Sequence, residues 1–105
     1  MKELKRQPIT PGEILTEEFL VPLGMTQTDL ADKLSCDVKT VNRIANGRQA
    51  VTAEMALKLG AFFRTSPEFW LNMQRAVDLY EARQKILVFP TPLRYVRKGN
   101  RQIEG

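Results

Sequence analysis

The sequence predicts an all-α domain of five helices, followed by a short C-terminal extension of β character. Two observations support the helices. Helix-capping signatures recur along residues 10–85, and each precedes apolar residues spaced three or four positions apart. A third observation separates the extension, because residues 86–89 and 93–96 are rich in β-branched and aromatic side chains. At 105 residues, the chain suits one domain with a single core.

The first helix begins at Thr10–Glu13. This segment combines a threonine cap, a proline suited to the first helical position and a glutamate that completes a capping box. Leu15 and Phe19 are four residues apart and should face the core. We expect the helix to end before Pro22 and Gly24.

The second helix begins after Thr26, a favourable N-cap. Asp29 lies in its first turn, where a negative charge complements the helix dipole. Its predicted buried residues are Leu30, Ala31 and Leu34. The small Ala31 allows another helix to pack closely against this one.

The third helix is short, with Asp37 as its cap and Asn46–Gly47 as its end. Its apolar side consists of Val41, Ile44 and Ala45. Its other side carries mainly hydrogen-bond donors, namely Lys39, Thr40, Arg43 and Asn46. Isolated helices shorter than roughly 12 residues are marginal in water, so this helix depends on the core and leaves its polar side exposed.

Two further helices follow, one after Thr52 and a longer one that opens at Ser66–Glu68. The apolar residues of the fourth helix are Met55, Ala56, Leu59 and Phe62. Those of the fifth include Phe69, Trp70, Met73, Val77 and Tyr80. We assign Phe69 and Trp70 to the core. For the distal residues Val77, Leu79 and Tyr80, a dimer interface and the core are the two alternatives.

The extension leaves three possibilities open: short strands, an ordered arm, or a segment that orders on a partner. The predicted organisation is therefore a basic N-terminal arm at 1–9, a domain at 10–85 and a basic, apolar tail at 86–105. Arms rich in lysine and arginine often follow phosphates or the minor groove. The apolar part of the tail could instead add strands to a partner's sheet.

The composition argues against an enzyme. There is no histidine, the commonest general base near neutral pH, and the single cysteine, Cys36, therefore lacks a histidine partner. We find no glycine-rich phosphate loop and no metal-ligand cluster, so we expect neither a cofactor nor a metal. A five-helix core leaves little chain for a pocket, so no small-molecule ligand is expected.

Other features of the composition indicate a cytoplasmic location and no membrane association. One cysteine excludes an internal disulfide and fits a reducing compartment. No apolar run reaches the roughly 20 residues of a membrane span, and MKELKRQPI lacks the apolar core of a signal peptide. Cys36 falls in a turn where an apolar residue usually fills the core, and a redox switch is the alternative role.

The second and third helices, over about residues 26–47, form the pattern of a helix-turn-helix. In this unit the second helix enters the DNA major groove, supported by the first. A helix of ten residues is about 15 Å long, comparable with a groove roughly 12 Å wide. The net charge of +4 agrees with an anionic partner.

The run MTQTDLADKLSCDVKTVNRIANGRQAVTAEMALKLGAFF resembles the helix-turn-helix of the Xre/Cro family, which implies a lambda-repressor-like fold. Two flanking motifs resemble the HigA (VapI-like) antitoxin branch of that family. They are Pro11–Leu15 with Glu17–Leu20, and Thr65–Gln74. This resemblance implies a dimeric antitoxin that binds an mRNA-cleaving RelE/HigB-like toxin and represses their shared operon. A stand-alone Xre-family transcriptional regulator is the alternative.

The resemblance also assigns DNA-binding positions. It implies that Val38, Lys39 and Arg43 read bases, and that Gln27 bonds a phosphate and supports the recognition helix. A valine departs from the polar residue often found at the first of these positions, so Val38 either touches a thymine methyl group or packs. The residues interpreted as backbone contacts, which position without specifying sequence, are Thr40, Asn46 and Arg48.

Two protein interfaces are also predicted. Because one short helix reads few bases, we expect a homodimer, with Val77, Leu79 and Tyr80 at the interface. An RNA-cleaving toxin should be basic, so the acidic first helix is a candidate surface for it, through Glu13, Glu17 and Glu18. The alternative is that Glu13 acts only as a cap residue and that the other two are merely solvated.

Overall fold

A computed structural model describes residues 7–94, which form five helices and no strand. Helix α1 begins at Pro11 and ends at Leu23, and the others are α2 (Gln27–Leu34), α3 (Val38–Ala45), α4 (Ala53–Phe63) and α5 (Pro67–Lys85). The all-α, five-helix prediction is confirmed. Residues 86–94 of the tail have no regular secondary structure. Lys2, Lys5 and Arg6 of the predicted arm lie outside the described residues, as do residues 95–105.

The predicted caps are present at the start of each helix. Thr10 with Glu13 and Thr26 with Asp29 form complete capping boxes, in which each threonine hydroxyl accepts the acidic residue's backbone N–H at 3.0 Å. Asp37 caps α3 by accepting the N–H of Lys39 at 2.9 Å. The hydroxyls of Thr52 and Ser66 accept the N–H groups of Met55 and Phe69. These bonds satisfy N–H groups that a helix start leaves without partners.

Helix α1 extends further than the sequence predicts. The predicted end before Pro22 is wrong, because the helix continues to Leu23. Gly24 follows as its C-cap, with a φ of 66°. The difference arises from a π-helical stretch, Leu15–Leu20, in which the N–H of Val21 donates to the carbonyl five residues back. Pro22 lacks an N–H and its ring would collide with a carbonyl in a regular α-helix, so this wider turn lets the helix include it.

Trp70 is the centre of the core and is fully buried. Its indole Nε1–H donates to the hydroxyl of Thr65 at 2.7 Å, so the buried polar atom has a partner. The ring of Phe19 packs 5.5 Å from it, and the ring of Phe63 lies 4.5 Å from Phe19. The aromatic core therefore joins α1, α4 and α5.

Two predicted core residues lie instead at the surface. Phe69 was assigned to the core but is 39% exposed, with its ring edge-on against Trp70 at a centroid distance of 5.2 Å. Phe62 was placed on the buried side of the fourth helix but is 37% exposed, whereas Phe63 packs on the core. After the buried Leu59, the next core residue of α4 is Phe63, four positions on, and not Phe62, three positions on. Helical spacing alone allows either residue to face the core.

Helix α1 and helix α3 approach each other at backbone distance. A Cβ atom placed on Gly12 would collide with the carbonyl oxygen of Ile44 and lie 2.5 Å from that of Ala45. These oxygens belong to the C-terminal turn of α3, and that of Ile44 also accepts the N–H of Gly47 just beyond the helix. Only glycine fits at this contact, which fixes the C-terminal end of α3 against the start of α1.

We therefore predict that Gly12→Ala destabilises the fold. Overpacking typically costs about 1–3 kcal/mol, whereas alanine normally gains about 0.5–1 kcal/mol over glycine within a helix. Urea denaturation gives the free energy of unfolding. Gly47→Ala is the comparison, because a Cβ there meets no heavy atom within 4 Å and only the positive φ opposes it. A Gly12→Ala variant as stable as wild type would contradict the close approach.

Candidate nucleic-acid interface

Helices α2 and α3 form the predicted helix-turn-helix. Their buried residues are Leu30, Ala31, Leu34, Val41 and Ile44. The turn between them includes Ser35 in the left-handed region at φ 54°, and the N–H of Cys36 closes the turn by donating to the carbonyl of Ala31 at 3.0 Å. Helix α3 is eight residues long, which corresponds to about 12 Å and matches the groove width of roughly 12 Å.

A shared depression is surrounded by most of the predicted DNA-binding residues. Its lining is Gln27, Val38, Lys39, Asn42, Arg43 and Arg48. Val38 is 40% exposed, so it is available for an apolar contact rather than packed in the core. Thr40 is half-buried and Asn46, the C-cap of α3, is exposed, and neither lines the depression.

Asn42 is the residue at this surface that the sequence-based assignment missed. Its side-chain amide donates to Oε1 of Gln27 at 3.1 Å, which links α3 to the start of α2. The bond orients the Gln27 side chain, whose NH₂ group remains able to donate to a ligand. Helical spacing could have indicated Asn42, because it follows Val38 by four positions and Lys39 by three.

Arg48 is held in place by the end of helix α3. The N–H of Gly47 donates to the carbonyl of Ile44 at 3.1 Å, and the N–H of Arg48 donates to that of Arg43 at 2.8 Å. This pair of bonds is a Schellman motif, with Gly47 in the left-handed conformation at φ 72°. The two arginines therefore belong to one rigid helix end.

The cations of this surface have no counterions within residues 7–94. The ion pair in that part of the chain joins Lys58 and Glu54, at 3.5 Å. Lys39, Arg43 and Arg48 pair with no described carboxylate. Unneutralised cations around one concavity attract an anionic ligand such as a phosphate backbone.

The residues predicted for protein interfaces lie away from this depression. Glu13 is engaged in its capping box, whereas Glu17 and Glu18 are exposed in the π-helical stretch of α1. On α5, Leu79 is 46% exposed, while Val77 and Tyr80 are half-buried. Val77 and Tyr80 lie three positions apart on one side of α5, and Leu79 lies on another.

These features match those of known proteins. A helix-turn-helix family model matches residues 17–70. The antitoxin HigA-1 of Vibrio cholerae is 44% identical over 85 residues, covering 81% of this chain and 80% of the relative. The chain belongs to the HigA branch of the Xre/Cro helix-turn-helix family.

Two solved structures of similar proteins contain DNA. Pseudomonas aeruginosa antitoxin HigA with the higBA promoter has a TM-score of 0.72 and 40% identity, covering 74% of this chain and 85% of that one. Antitoxin GraA in complex with its operator has a TM-score of 0.71 and 48% identity, covering 76% of this chain and 81% of that one.

Membership of the HigA branch confirms the family resemblance and the prediction that the chain is not an enzyme, since its relatives are helix-turn-helix regulators and antitoxins. Within residues 7–94, no helix is both long and apolar enough to cross a bilayer. The same residues contain no group of three or more potential metal ligands among histidine, cysteine and acidic side chains.

Cys36 in the turn packs against the core. Burial raises the pKa of its thiol. A raised pKa leaves less thiolate at neutral pH, and the thiolate is the reactive form. The structure therefore supports the packing role predicted for Cys36 more than the redox alternative.

We predict that iodoacetamide alkylates Cys36 more slowly than N-acetylcysteine at pH 7.5. The thiolate fraction falls about tenfold for each unit by which the pKa is raised. Mass spectrometry over time gives the rate, and unfolding in urea should bring it to that of the free thiol. Cys36→Ser controls for modification elsewhere. An equal rate for the folded and the urea-unfolded protein would contradict the partly buried environment of Cys36.

Proposed function

We propose that this chain is the antitoxin of a type II toxin–antitoxin module in the cytoplasm. It binds operator DNA as a homodimer and represses its own operon, and it neutralises an mRNA-cleaving RelE/HigB-like toxin by direct binding. The observation that carries the proposal is the set of cations around α3 that pair with no carboxylate within residues 7–94, in a chain similar to proteins solved with promoter or operator DNA. The runner-up is a stand-alone Xre-family transcriptional regulator.

In the proposed DNA complex, α3 lies in the major groove. Val38, Lys39 and Arg43 face base edges, because they line the same exposed depression. Gln27, oriented by Asn42, donates to a phosphate, and Arg48 contacts the backbone beside the helix end. Thr40 and Asn46 lie outside the depression and serve as peripheral backbone contacts.

The proposed dimer uses the distal part of α5. Leu79 is exposed there, and exposed apolar residues continue along the chain at Ile86, Leu87, Val88 and Phe89. A dimer places two recognition helices about 34 Å apart, one turn of DNA, which doubles the sequence that is read. We retain the division into an arm at 1–9, a domain at 10–85 and a tail at 86–105 as part of this proposal.

The proposed toxin surface is the acidic side of α1. Glu17 and Glu18 are exposed and, among residues 7–94, pair with no cation, so they remain available to a basic partner. Glu13 already accepts a hydrogen bond in its capping box and contributes mainly charge. The exposed apolar residues of the tail offer the toxin a second contact.

The first experiment tests the toxin. Each small open reading frame found next to the gene is expressed alone and together with this chain, and growth and co-purification are measured. Growth arrest that this chain relieves, with a stable complex on the column, is the expected result. Absence of both toxicity and a complex would leave the stand-alone regulator.

In a calorimetric titration with the purified toxin, we predict that Glu17→Lys combined with Glu18→Lys weakens toxin binding by at least about tenfold, because two attractive contacts become repulsive. DNA binding should stay unchanged, since both residues lie away from α3. Glu54→Lys combined with Glu68→Lys, which reverses two exposed charges away from α1 and from the distal part of α5, controls for the change in net charge. Unchanged toxin affinity in the Glu17/Glu18 variant would refute the acidic surface.

We predict different effects for the two arginines. Arg43→Ala should remove about 1–3 kcal/mol of discrimination at one base pair per half-site, because the variant cannot form a bidentate hydrogen bond to guanine. Arg48→Ala should weaken all sequences alike and reduce the slope of log affinity against log salt by about one unit for each phosphate that is no longer neutralised. Anisotropy titrations of cognate and random duplexes at several salt concentrations measure both effects. An equal reduction of affinity for cognate and random DNA by Arg43→Ala would contradict its role as a base reader.

A further inference from the structure

The recognition helix and helix α5 are separated by a depression of about 230 Å³. On one side lies the loop after α3, with Gly47, Arg48 and Gln49, and on the other lie Val77 and Asp78 of α5. Helix α3 itself packs on α1 and α2. The start of α1 also lines the depression, and the loop is anchored in the core by the buried Val51, but no side chain fills the space between Gly47–Gln49 and α5.

One hydrogen bond crosses from α5 to the loop. Oε1 of Gln74 accepts the backbone N–H of Val51 at 2.9 Å in a partly buried position. The Nε2 group of the same side chain donates to Oδ1 of Asp78 at 3.0 Å, one turn further along α5. Both ends of the Gln74 amide are occupied, so its orientation is fixed relative to the helix axis.

The hydrogen bond between Val51 and Gln74 connects the loop after α3 to α5 as well as fixing the local conformation of the loop. The Schellman motif already fixes Gly47 and Arg48 on the end of α3, and the side chain of Val51 is itself buried. The contact from Gln74 adds a connection between the segment that follows the recognition helix and the helix that we assign to the dimer interface. In a dimer, any change in the angle between α5 and α3 moves the two recognition helices relative to each other.

We propose that Gln74 is a positioning residue that sets the distance between the two recognition helices of the dimer, and so the half-site spacing that the protein prefers. This inference rests on the proposed dimeric binding to an operator. Gln74 needs no contact with DNA for this role. It acts through Val51 and the loop that joins α3 to α4.

The test measures spacing preference rather than affinity alone. Palindromic duplexes are selected from a random library with the wild-type protein, and the half-sites are then rebuilt with one or two base pairs added or removed between them. For Gln74→Ala, the ratio of affinities for the preferred and altered spacings should fall about fivefold, the equivalent of one hydrogen bond of ordinary strength. Affinity for a duplex with one half-site should stay unchanged.

Two controls separate positioning from stability. Gln74→Glu combined with Asp78→Asn keeps an acceptor for the Val51 N–H and reverses the second bond, so it should restore the wild-type preference. Ser66→Ala removes the N-cap of α5, destabilises the fold far from the loop and should leave the preference intact.

The outcomes distinguish the inference from the proposed function. A wild-type protein without any spacing preference would overturn dimeric operator binding, and this inference with it. A wild-type preference that Gln74→Ala retains would overturn only the inference. An equal reduction of affinity by Gln74→Ala on every duplex, the single half-site included, would also overturn it, because it would indicate a smaller fraction of folded protein.

Discussion

The contact between the backbones of α1 and α3 at Gly12 is the constraint on which the proposed DNA-binding surface depends. Helix α3 has eight residues and cannot be stable alone. It is held by buried Val41 and Ile44 on one side and, at its C-terminal end, by the first turn of α1. The capping box of Thr10 and Glu13 fixes that same turn. Because the first turn of α1 is fixed by its capping box and contacts the end of α3, that end is also held in place. Arg43 and Arg48 lie at this end of α3.

Four residues of the motif Thr65–Gln74, which carries the resemblance to the HigA branch, have a structural role. Its threonine accepts the indole N–H of the buried Trp70, and its serine caps α5. Its last residue, Gln74, reaches the loop after the recognition helix. None of these side chains lines the depression that is surrounded by Val38, Lys39 and Arg43. The motif therefore connects the aromatic core to the loop that follows the helix-turn-helix.

Local features of this fold were predictable from the sequence, and features that depend on tertiary contacts were not. Caps and helix starts were correct because a cap is a relation between residues two or three positions apart. The predicted end of α1 before Pro22 is wrong, because proline ends a regular α-helix but is accommodated here after a π-helical turn. That turn was not predictable from the sequence. Phe62 and Phe69 are exposed because packing decides between neighbouring aromatic residues of a helix. Helical spacing places Asn42 beside Val38 and Lys39, but its hydrogen bond to Gln27 was not predictable because Gln27 lies on another helix.

The charged groups of α1 and α3 that pair with no other group within residues 7–94 agree with the two partners proposed above. Exposed ion pairs contribute only about 0–1 kcal/mol each, so a fold sacrifices little stability by leaving surface charges unpaired. Here α1 carries exposed Glu17 and Glu18, and α3 with its following loop carries exposed cations, yet within residues 7–94 these groups do not pair with each other. The close contact between the two helices is made of backbone at Gly12, which keeps the charged groups out of it. One small domain can thereby present an acidic and a basic surface at once, and each remains available to a partner of opposite charge.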